Sequence, residues 1–513
     1  MKKIFKRFTP VLCAVALLAV GCNKDYLSTD PTDAVSGETI FATTDGAYVA
    51  LNGTYRLLWE SQTSHGDFGQ KSVDLSMDLM GHDMVVHKQG YGWFNTEYNY
   101  NAYSTSTSGS RSGIVWAHYY KVINNANLIL AGIDNAVGPQ ADIDNIKGQA
   151  LALRAHSYFY LINLYQHTYK GSESLPGVPL YTSPTSEGVG RGTVQQVYDQ
   201  ITSDLDAAKP LLQGKSRKHI AHINYATVRG IHAMVALQME DYPTARTEAA
   251  ASRAGITPAS AAQYRGGTIF NTAGGPEYLW GVAVNTEQAT IYASFYSHLD
   301  VSSGGYADLG TQKKMTKALY DQIPDGDVRK ELFSPYPFTT APASNNPPLN
   351  QHKLRLRQPG NWAADYLFMR VGEQYLIEAE AAARSGSGDE PHAISVLESL
   401  LQTRNPAYSA AGLSGTALLN EILLQRRIEL WGEGRQLLDI KRLKTGLNRP
   451  LGDGNHNGWD LINPTSQAFN FAIPAVGATN AITIPDRDPR FLWRIPQNEI
   501  DANKELTDAD QNP

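Results

Sequence analysis

The stretch from Arg426 to Arg442, RRIELWGEGRQLLDIKR, constrains this chain more than any other. Leu424, Ile428 and Trp431, flanked by Leu423 and Leu430, form an apolar stripe, and Arg426 reaches Glu429 and Leu430 across the three- and four-residue steps that bring helix side chains together. Gly432 and Gly434 permit the left-handed backbone that ends a helix, and Leu437, Leu438, Ile440 and Leu443 resume burial in a second, shorter one. Arg427, Glu433, Arg435, Asp439 and Arg442 stand beside that apolar wall as a charge network that fixes helix register. Paired carboxylates for acid and base catalysis do not fit the pattern, because each acid has an arginine nearby to keep it ionised.

The same spacing recurs upstream. Helices are predicted over Phe41 to Glu60, Val115 to Ile133 and Ile143 to Tyr169. In the last of these, Ile146, Ala150, Leu153, Ser157, Leu161 and Leu164 make one face, and Leu151, Ala155, Tyr158, Ile162 and Tyr165 another. A helix apolar on two faces is sandwiched between neighbours. Thr193 with Gln196 forms a capping box, Asn224 caps a helix running to Met239, and Pro243 suits the first turn of the next. Helices are also predicted over Lys313 to Gln322, Tyr366 to Arg384, Pro391 to Thr403 and Thr416 to Glu433. Short links between paired helices indicate an all-α, tetratricopeptide-like helix-pair solenoid. Its scaffold covers about 115–254 and 366–445, and two loop-rich insertions, about 64–113 and 255–364, interrupt or precede it.

The first residues are a separate unit. Lys2, Lys3, Lys6 and Arg7 precede the apolar run Val11 to Val20, then Gly21 and Cys22. That run is about half the roughly 20 residues a spanning helix needs, so 1–21 is predicted to be an export signal. Ala19-Val20-Gly21-Cys22 resembles the bacterial lipoprotein cleavage signal, which makes Cys22 the predicted lipidation site, with palmitate-type acyl chains as a membrane anchor. Residues 22–40 then form a polar tether, and 41–513 the folded domain. Of the two cysteines, Cys13 leaves with the signal and Cys22 is acylated, so no disulfide, thiolate metal site or cysteine nucleophile is expected. Losing the four basic residues takes the net charge from −6 to −10, which gives no footprint for nucleic acid. Tyrosine, at 27 residues against 14 phenylalanines, is the compositional excess, and an amphipathic ring suits a wet binding surface.

Several segments resemble one family, the SusD/RagB nutrient-binding outer-membrane lipoproteins. They are the Cys22 start, ALNGTYR at Ala50 to Arg56, RAHSYFYLINLY at Arg154 to Tyr165, LPGVPL at Leu175 to Leu180 and TVQQVYDQITSDLDAAKPLL at Thr193 to Leu212. RVGEQYLIEAEAAARSG at Arg370 to Gly386, the Arg426 to Arg442 stretch and IPQNEIDANKEL at Ile495 to Leu506 complete the series. The resemblance implies a lipid-anchored binder at the outer face of the outer membrane, working with a SusC-like TonB-dependent transporter and leaving hydrolysis to other proteins. Its ligand would be an oligosaccharide or polysaccharide, or alternatively another nutrient such as peptide; a lipid-anchored glycoside hydrolase is the remaining reading.

Sugar rings pack their apolar faces on aromatic rings and need side-chain partners for their hydroxyls. Tyr91 to Asn101 is the densest aromatic and polar cluster, with Trp93, Tyr98 and Tyr100 predicted to stack and Asn95 and Asn101 to bind hydroxyls. This run falls where the family often carries part of its platform, and Trp280, Tyr292, Tyr296 and Tyr306 lie where its other platform residues tend to fall. No cofactor is required. A calcium loop is half-copied at Asp453, Asn455 and Asn457, but Pro464 stands where the bidentate glutamate belongs, so a turn fits better. His219 and His222, without acidic partners, read as surface residues.

Overall fold

Each helix of the central row packs against the next. The row comprises α3 (Arg111–Gly132), α4 (Gln140–Tyr165), α5 (Val194–Leu212), α6 (Tyr225–Gln238), α7 (Tyr242–Arg253), α8 (Val371–Arg384) and α9 (Glu390–Leu401). Before it lie α1 (Thr44–Leu57) and α2 (Gln70–Leu79), and after it α10 (Gly415–Glu429) and α11 (Gln436–Leu443). This computed structural model describes residues 37–61, 63–87, 91–100, 105–336, 346–450, 452, 454–456 and 483–513. Cys22, the export signal, the tether before residue 37, Asn101, Asp453, Asn457 and Pro464 lie outside them.

The helix-pair architecture is the one the apolar spacing predicts. Both faces of α4 are buried, Ile146, Ala150 and Leu153 on one and Ala155, Tyr158 and Ile162 on the other, which places it between α3 and α5. Buried Arg154 ties all three together: its guanidinium donates to Asp204 on α5 at 2.8 and 2.6 Å and to Asn127 on α3 at 2.7 Å. The capping box forms at Thr193 and Gln196, and Asn224 accepts the Thr227 N–H at 3.0 Å. Although more than a hundred residues separate α7 from α8, Arg253 reaches Glu378 at 2.5 Å and lies over the Tyr375 ring. The 255–364 stretch therefore leaves and rejoins the row without breaking it.

Among the described residues, four two-stranded antiparallel pairs decorate the helices. β1 (Met84–Val86) pairs with β5 (Lys313–Met315), β2 (Pro176–Pro179) with β3 (Arg191–Thr193), β4 (Tyr278–Val282) with β6 (Tyr366–Arg370), and β7 (Leu447–Asn448) with β8 (Thr483–Ile484). Two predicted helices are corrected here. Lys313 to Met315 is strand, leaving only the turn Lys317–Tyr320 helical, and Tyr366 to Arg370 is strand before α8 begins. In both places a partner strand from a distant segment takes the backbone hydrogen bonds that local spacing assigned to a helix.

The 64–113 stretch also contains a helix that periodicity missed. All ten residues of α2 are buried, including Lys71, Asp74 and Asp78. Asp78 accepts the backbone N–H groups of Gly434 at 2.9 Å and Arg435 at 3.1 Å, so it caps α11 from across the fold. Gly434 has φ +81°, and a Cβ there would lie 2.5 Å from that of Asp74. The glycine break predicted from sequence is thus the seat of a close approach as well as a turn.

Most charges of Arg426 to Arg442 are buried in ion pairs. Arg426 pairs with Asp439 at 2.8 Å, not with Glu429; Arg435 pairs with Glu373 at 2.6 Å, and Arg442 with Glu380 at 2.6 Å. Glu429 instead enters a closed cluster in which Arg329, Arg370, Arg404 and Lys353 face Asp327, Glu277, Glu429 and Glu433. Burial would raise the Glu429 carboxyl, but the guanidiniums of Arg404, Arg370 and Arg329 overcome it and hold the group well below the carboxylate range. Two buried lysines cap helix ends. Lys441 donates to the carbonyls of Asn163 and Gln166 at the end of α4 and to that of Phe491 in the turn Pro489–Phe491, and Lys353 to those of Glu429 and Trp431 at the end of α10. His222 is corrected too: it is buried against Tyr55, ring centroids 5.2 Å apart, with Nε2 2.8 Å from Asn52 Oδ1.

Candidate functional site

Three separate loops bring five rings together. His65 follows α1; Tyr91 and Trp93 lie between β1 and the turn Asn95–Tyr98; Tyr292 and Tyr306 come from between β4 and β5. Ring centroids of His65 and Tyr292 are 5.8 Å apart with planes 17° from parallel, those of Trp93 and Tyr306 are 5.7 Å apart, and those of Tyr292 and Tyr306 are 5.3 Å apart. Tyr91 meets Tyr306 edge-on at 5.2 Å. Tyr91 is 52% exposed and Tyr292 37%, whereas Tyr306 is buried at the centre. The result is a shelf: a buried tyrosine floor, a half-buried tryptophan, and open rings at its edge.

Local backbone sets which rings face out. Gly92 has φ +78° and Phe94 φ +64°, two left-handed residues bracketing Trp93. The chain reverses there, so Phe94 packs inward on Phe68 and His298 while Trp93 stays at the surface. Arg111, at the start of α3, locks the loops from beneath: it donates to the Gly66 carbonyl and to Glu97, and its guanidinium lies 4.5 Å above the Phe94 ring. Buried His298 stacks on Tyr306 at 5.0 Å, and its Nε2 sits 2.9 Å from the His65 carbonyl. Burial and the nearby Lys313 push its pKa well below the usual histidine value, so it is neutral and its Nε2–H donates. His65 Nδ1 and the Tyr306 hydroxyl are 2.7 Å apart. Burial raises the Tyr306 phenol, the Trp93 indole opposing it, and leaves a neutral hydroxyl in the shelf.

The predicted residues divide cleanly. Trp93, Tyr292 and Tyr306, from two separate predicted sets, meet in one place. Tyr98, Tyr100, Trp280 and Tyr296 do not join them, and each is a correction. Tyr98 is buried with its hydroxyl 2.7 Å from His456 Nδ1, and the Tyr100 hydroxyl bonds the Met80 carbonyl. Trp280 packs edge-on against His156 and donates to the Ala221 carbonyl at 3.1 Å; the Tyr296 hydroxyl donates to Asp365 O at 2.7 Å. An amphipathic ring serves equally well as a core residue that satisfies a buried carbonyl, and the polar neighbours that suggested a wet surface belong to such bonds. Asn95 is half-buried at the start of the turn after Phe94. Sequence reasoning missed His65 as a member, since Ser64-His65-Gly66 carries no aromatic neighbours, and left Tyr91 unselected within its run.

One cavity away from the shelf is less suited to a sugar. A space of about 680 Å³ between α10, α11 and residues 445–450 is lined by Leu423, Leu424, Ile440 and Leu443, with no tyrosine, tryptophan or phenylalanine among its described lining residues. In the half-copied calcium loop, Gly454 O accepts the Lys317 N–H at 2.8 Å and Asn455 Oδ1 the Ala318 N–H at 2.9 Å. Those described oxygens hold a turn. Among the described residues no group of three or more histidine, cysteine or acidic side chains is arranged to hold a metal.

A row of paired helices carrying loop-borne surfaces defines the class, tetratricopeptide-like helical proteins. Residues 62–236 match a family model described as "Starch-binding associating with outer membrane", and residues 353–513 match the SusD family model. "SusD-like protein P2" of Formosa agariphila is 25% identical over 487 residues, covering 86% of this chain and 91% of that protein. A crystal structure of a "SusD-like carbohydrate binding protein" from Bacteroides vulgatus superposes with a TM-score of 0.77 at 29% identity, covering 92% of this chain and 98% of the other. A SusD superfamily protein from Bacteroides thetaiotaomicron shares the fold, with a TM-score of 0.75 at 24% identity and coverage of 92% and 100%. The chain belongs to the SusD/RagB family of nutrient-binding proteins.

Proposed function

We propose that this protein captures an oligosaccharide on the shelf of His65, Tyr91, Trp93, Tyr292 and Tyr306 and passes it to a SusC-like TonB-dependent transporter. One observation carries the reading: rings from three distant loops converge on a locked platform with exposed faces, the surface that the apolar faces of pyranoses require. The Tyr306 hydroxyl and the His65 imidazole lie within that platform to meet sugar hydroxyls. Membership in a family whose model is described as starch-binding, and likeness to a protein described as carbohydrate binding, support the ligand class. Acylation of Cys22 would hold the protein at the outer membrane; among the described residues no helix is long and apolar enough to cross a bilayer. The protein is a binder, and the acids of the Arg426 to Arg442 stretch, Glu429, Glu433 and Asp439, are committed to ion pairs rather than to chemistry.

Isothermal titration against a panel of soluble polysaccharides and their oligosaccharides tests this. Heat with at least one glycan, reduced about tenfold in affinity by Tyr292→Ala or Trp93→Ala, is the expected result. Heat only with peptides would replace the ligand class, and release of reducing ends by the purified protein would replace the binder with a hydrolase.

A further inference from the structure

A second aromatic recess is built from loops that also carry the shelf. It is a cavity of about 280 Å³, at the small end for ligand sites and thus sized for a single sugar unit rather than a chain. Trp59 at the end of α1 and Trp362 before β6, both half-buried, give it two indole walls, and Ser61, Gln288 and Thr290 line it with polar groups. It shares its loops with the shelf. Ser61 is four residues from His65 and donates its hydroxyl to the Ser64 carbonyl at 3.0 Å; Thr290 is two residues from Tyr292; and Trp362 donates its indole N–H to the Ser303 carbonyl at 2.7 Å, three residues from Tyr306.

The recess is built rather than incidental. Trp362 has φ +55°, a left-handed conformation that a bulky side chain adopts only when its surroundings hold it there, and the bond to Ser303 is one such restraint. Thr290 Oγ1 accepts the Ala293 N–H at 3.2 Å, which uses an acceptor site and leaves the hydroxyl hydrogen to donate outward. At the rim the one guanidinium, Arg56, is already paired with Glu60 at 2.7 Å, and Glu287 adds a further negative charge, so an anionic sugar is disfavoured.

We infer that this recess is a second subsite that takes one neutral pyranose unit of the ligand held on the shelf. The protein then reads a chain of several units, or a branched one, in preference to a disaccharide. This inference rests on the carbohydrate reading above and deepens it.

The test uses the full chain labelled with 5-fluorotryptophan, whose Trp59, Trp93 and Trp362 resonances are assigned with Trp→Phe variants. The probes are malto-, cello-, xylo- and galacto-oligosaccharides, each as the disaccharide, tetrasaccharide and hexasaccharide, together with a branched xyloglucan heptasaccharide. In a series that shifts Trp93, the longer or branched members should also shift Trp59 and Trp362, and Ala289→Phe, which fills the recess from a surface loop, should weaken those members about tenfold while leaving the disaccharide unchanged. If ligands shift Trp93 but none moves Trp59 or Trp362, or if Ala289→Phe weakens disaccharide and longer chain alike, the subsite is refuted and the shelf stands. If no probe shifts Trp93, the carbohydrate reading fails and the subsite falls with it.

Discussion

Replacing Glu429 by glutamine should unfold this protein far more readily than its nearly unchanged shape suggests. The cluster around Glu429 is balanced, with Arg329, Arg370, Arg404 and Lys353 against Asp327, Glu277, Glu429 and Glu433. Glu429 and Arg404 are fully buried, 2.9 Å apart, and the Tyr264 hydroxyl donates to the same carboxylate at 3.1 Å. Glutamine keeps the volume but removes the charge, and its amide –NH₂ turns a donor toward guanidiniums that are themselves donors. One buried cation is then uncompensated, which costs about 3–5 kcal/mol when one partner of such a pair is lost. Urea unfolding followed by tryptophan fluorescence should show a lower midpoint at an unchanged slope. The control is Arg265→Ala, which breaks a pair with Glu331 that is shorter still at 2.7 Å but half-exposed, and should leave the midpoint where it was. A Glu429→Gln midpoint as close to wild type as that control would refute the argument that burial, rather than pairing alone, makes the cluster matter.

Three further outcomes follow from the same structure. Tyr98→Phe removes the hydroxyl bond to His456 and should lower stability by about 1 kcal/mol in urea titration without changing glycan affinity, since Tyr98 is not in the shelf. For Glu380, burial opposes ionisation but Arg442 and Arg384 dominate and hold the carboxyl at about 2 against an ordinary 4.5. The stability it contributes, about 3 kcal/mol, is therefore fully present above pH 4.5 and lost as pH falls toward 2, and Glu380→Gln should flatten the pH dependence of the midpoint in that window. Lys441→Met leaves two carbonyls of the α4 terminus and that of Phe491 without their donor and should cost about 2–3 kcal/mol, with faster amide exchange in the last turn of α4 but not in its first.

The long helices were legible because their signals are local. The two apolar faces of α4, the capping box at Thr193 and the Asn224 cap each depend on residues within a few positions of one another, and each appears where the spacing places it. The strands β5 and β6 were not, because what makes Lys313 and Tyr366 extended is a partner more than eighty residues away. The same holds for α2, whose Lys71, Asp74 and Asp78 look like a solvated surface until α11 arrives to be capped. Trp93 and Tyr98 show the limit at the site. They sit five residues apart in one aromatic run, and only the left-handed backbone at Gly92 and Phe94 decides that the first faces out and the second in.

By itself the sequence determined that this chain would be a stack of paired helices with loop-rich interruptions, and through its resemblance to a family it set the kind of work to be expected. It did so because helix periodicity and capping are read within a turn or two of the chain. Which tyrosines form a surface and which stitch the core, and that His65 joins Trp93, Tyr292 and Tyr306, the tertiary structure alone decided. A ring with a hydroxyl is equally at home beside water or beneath a buried carbonyl, and only the positions of distant loops choose between them.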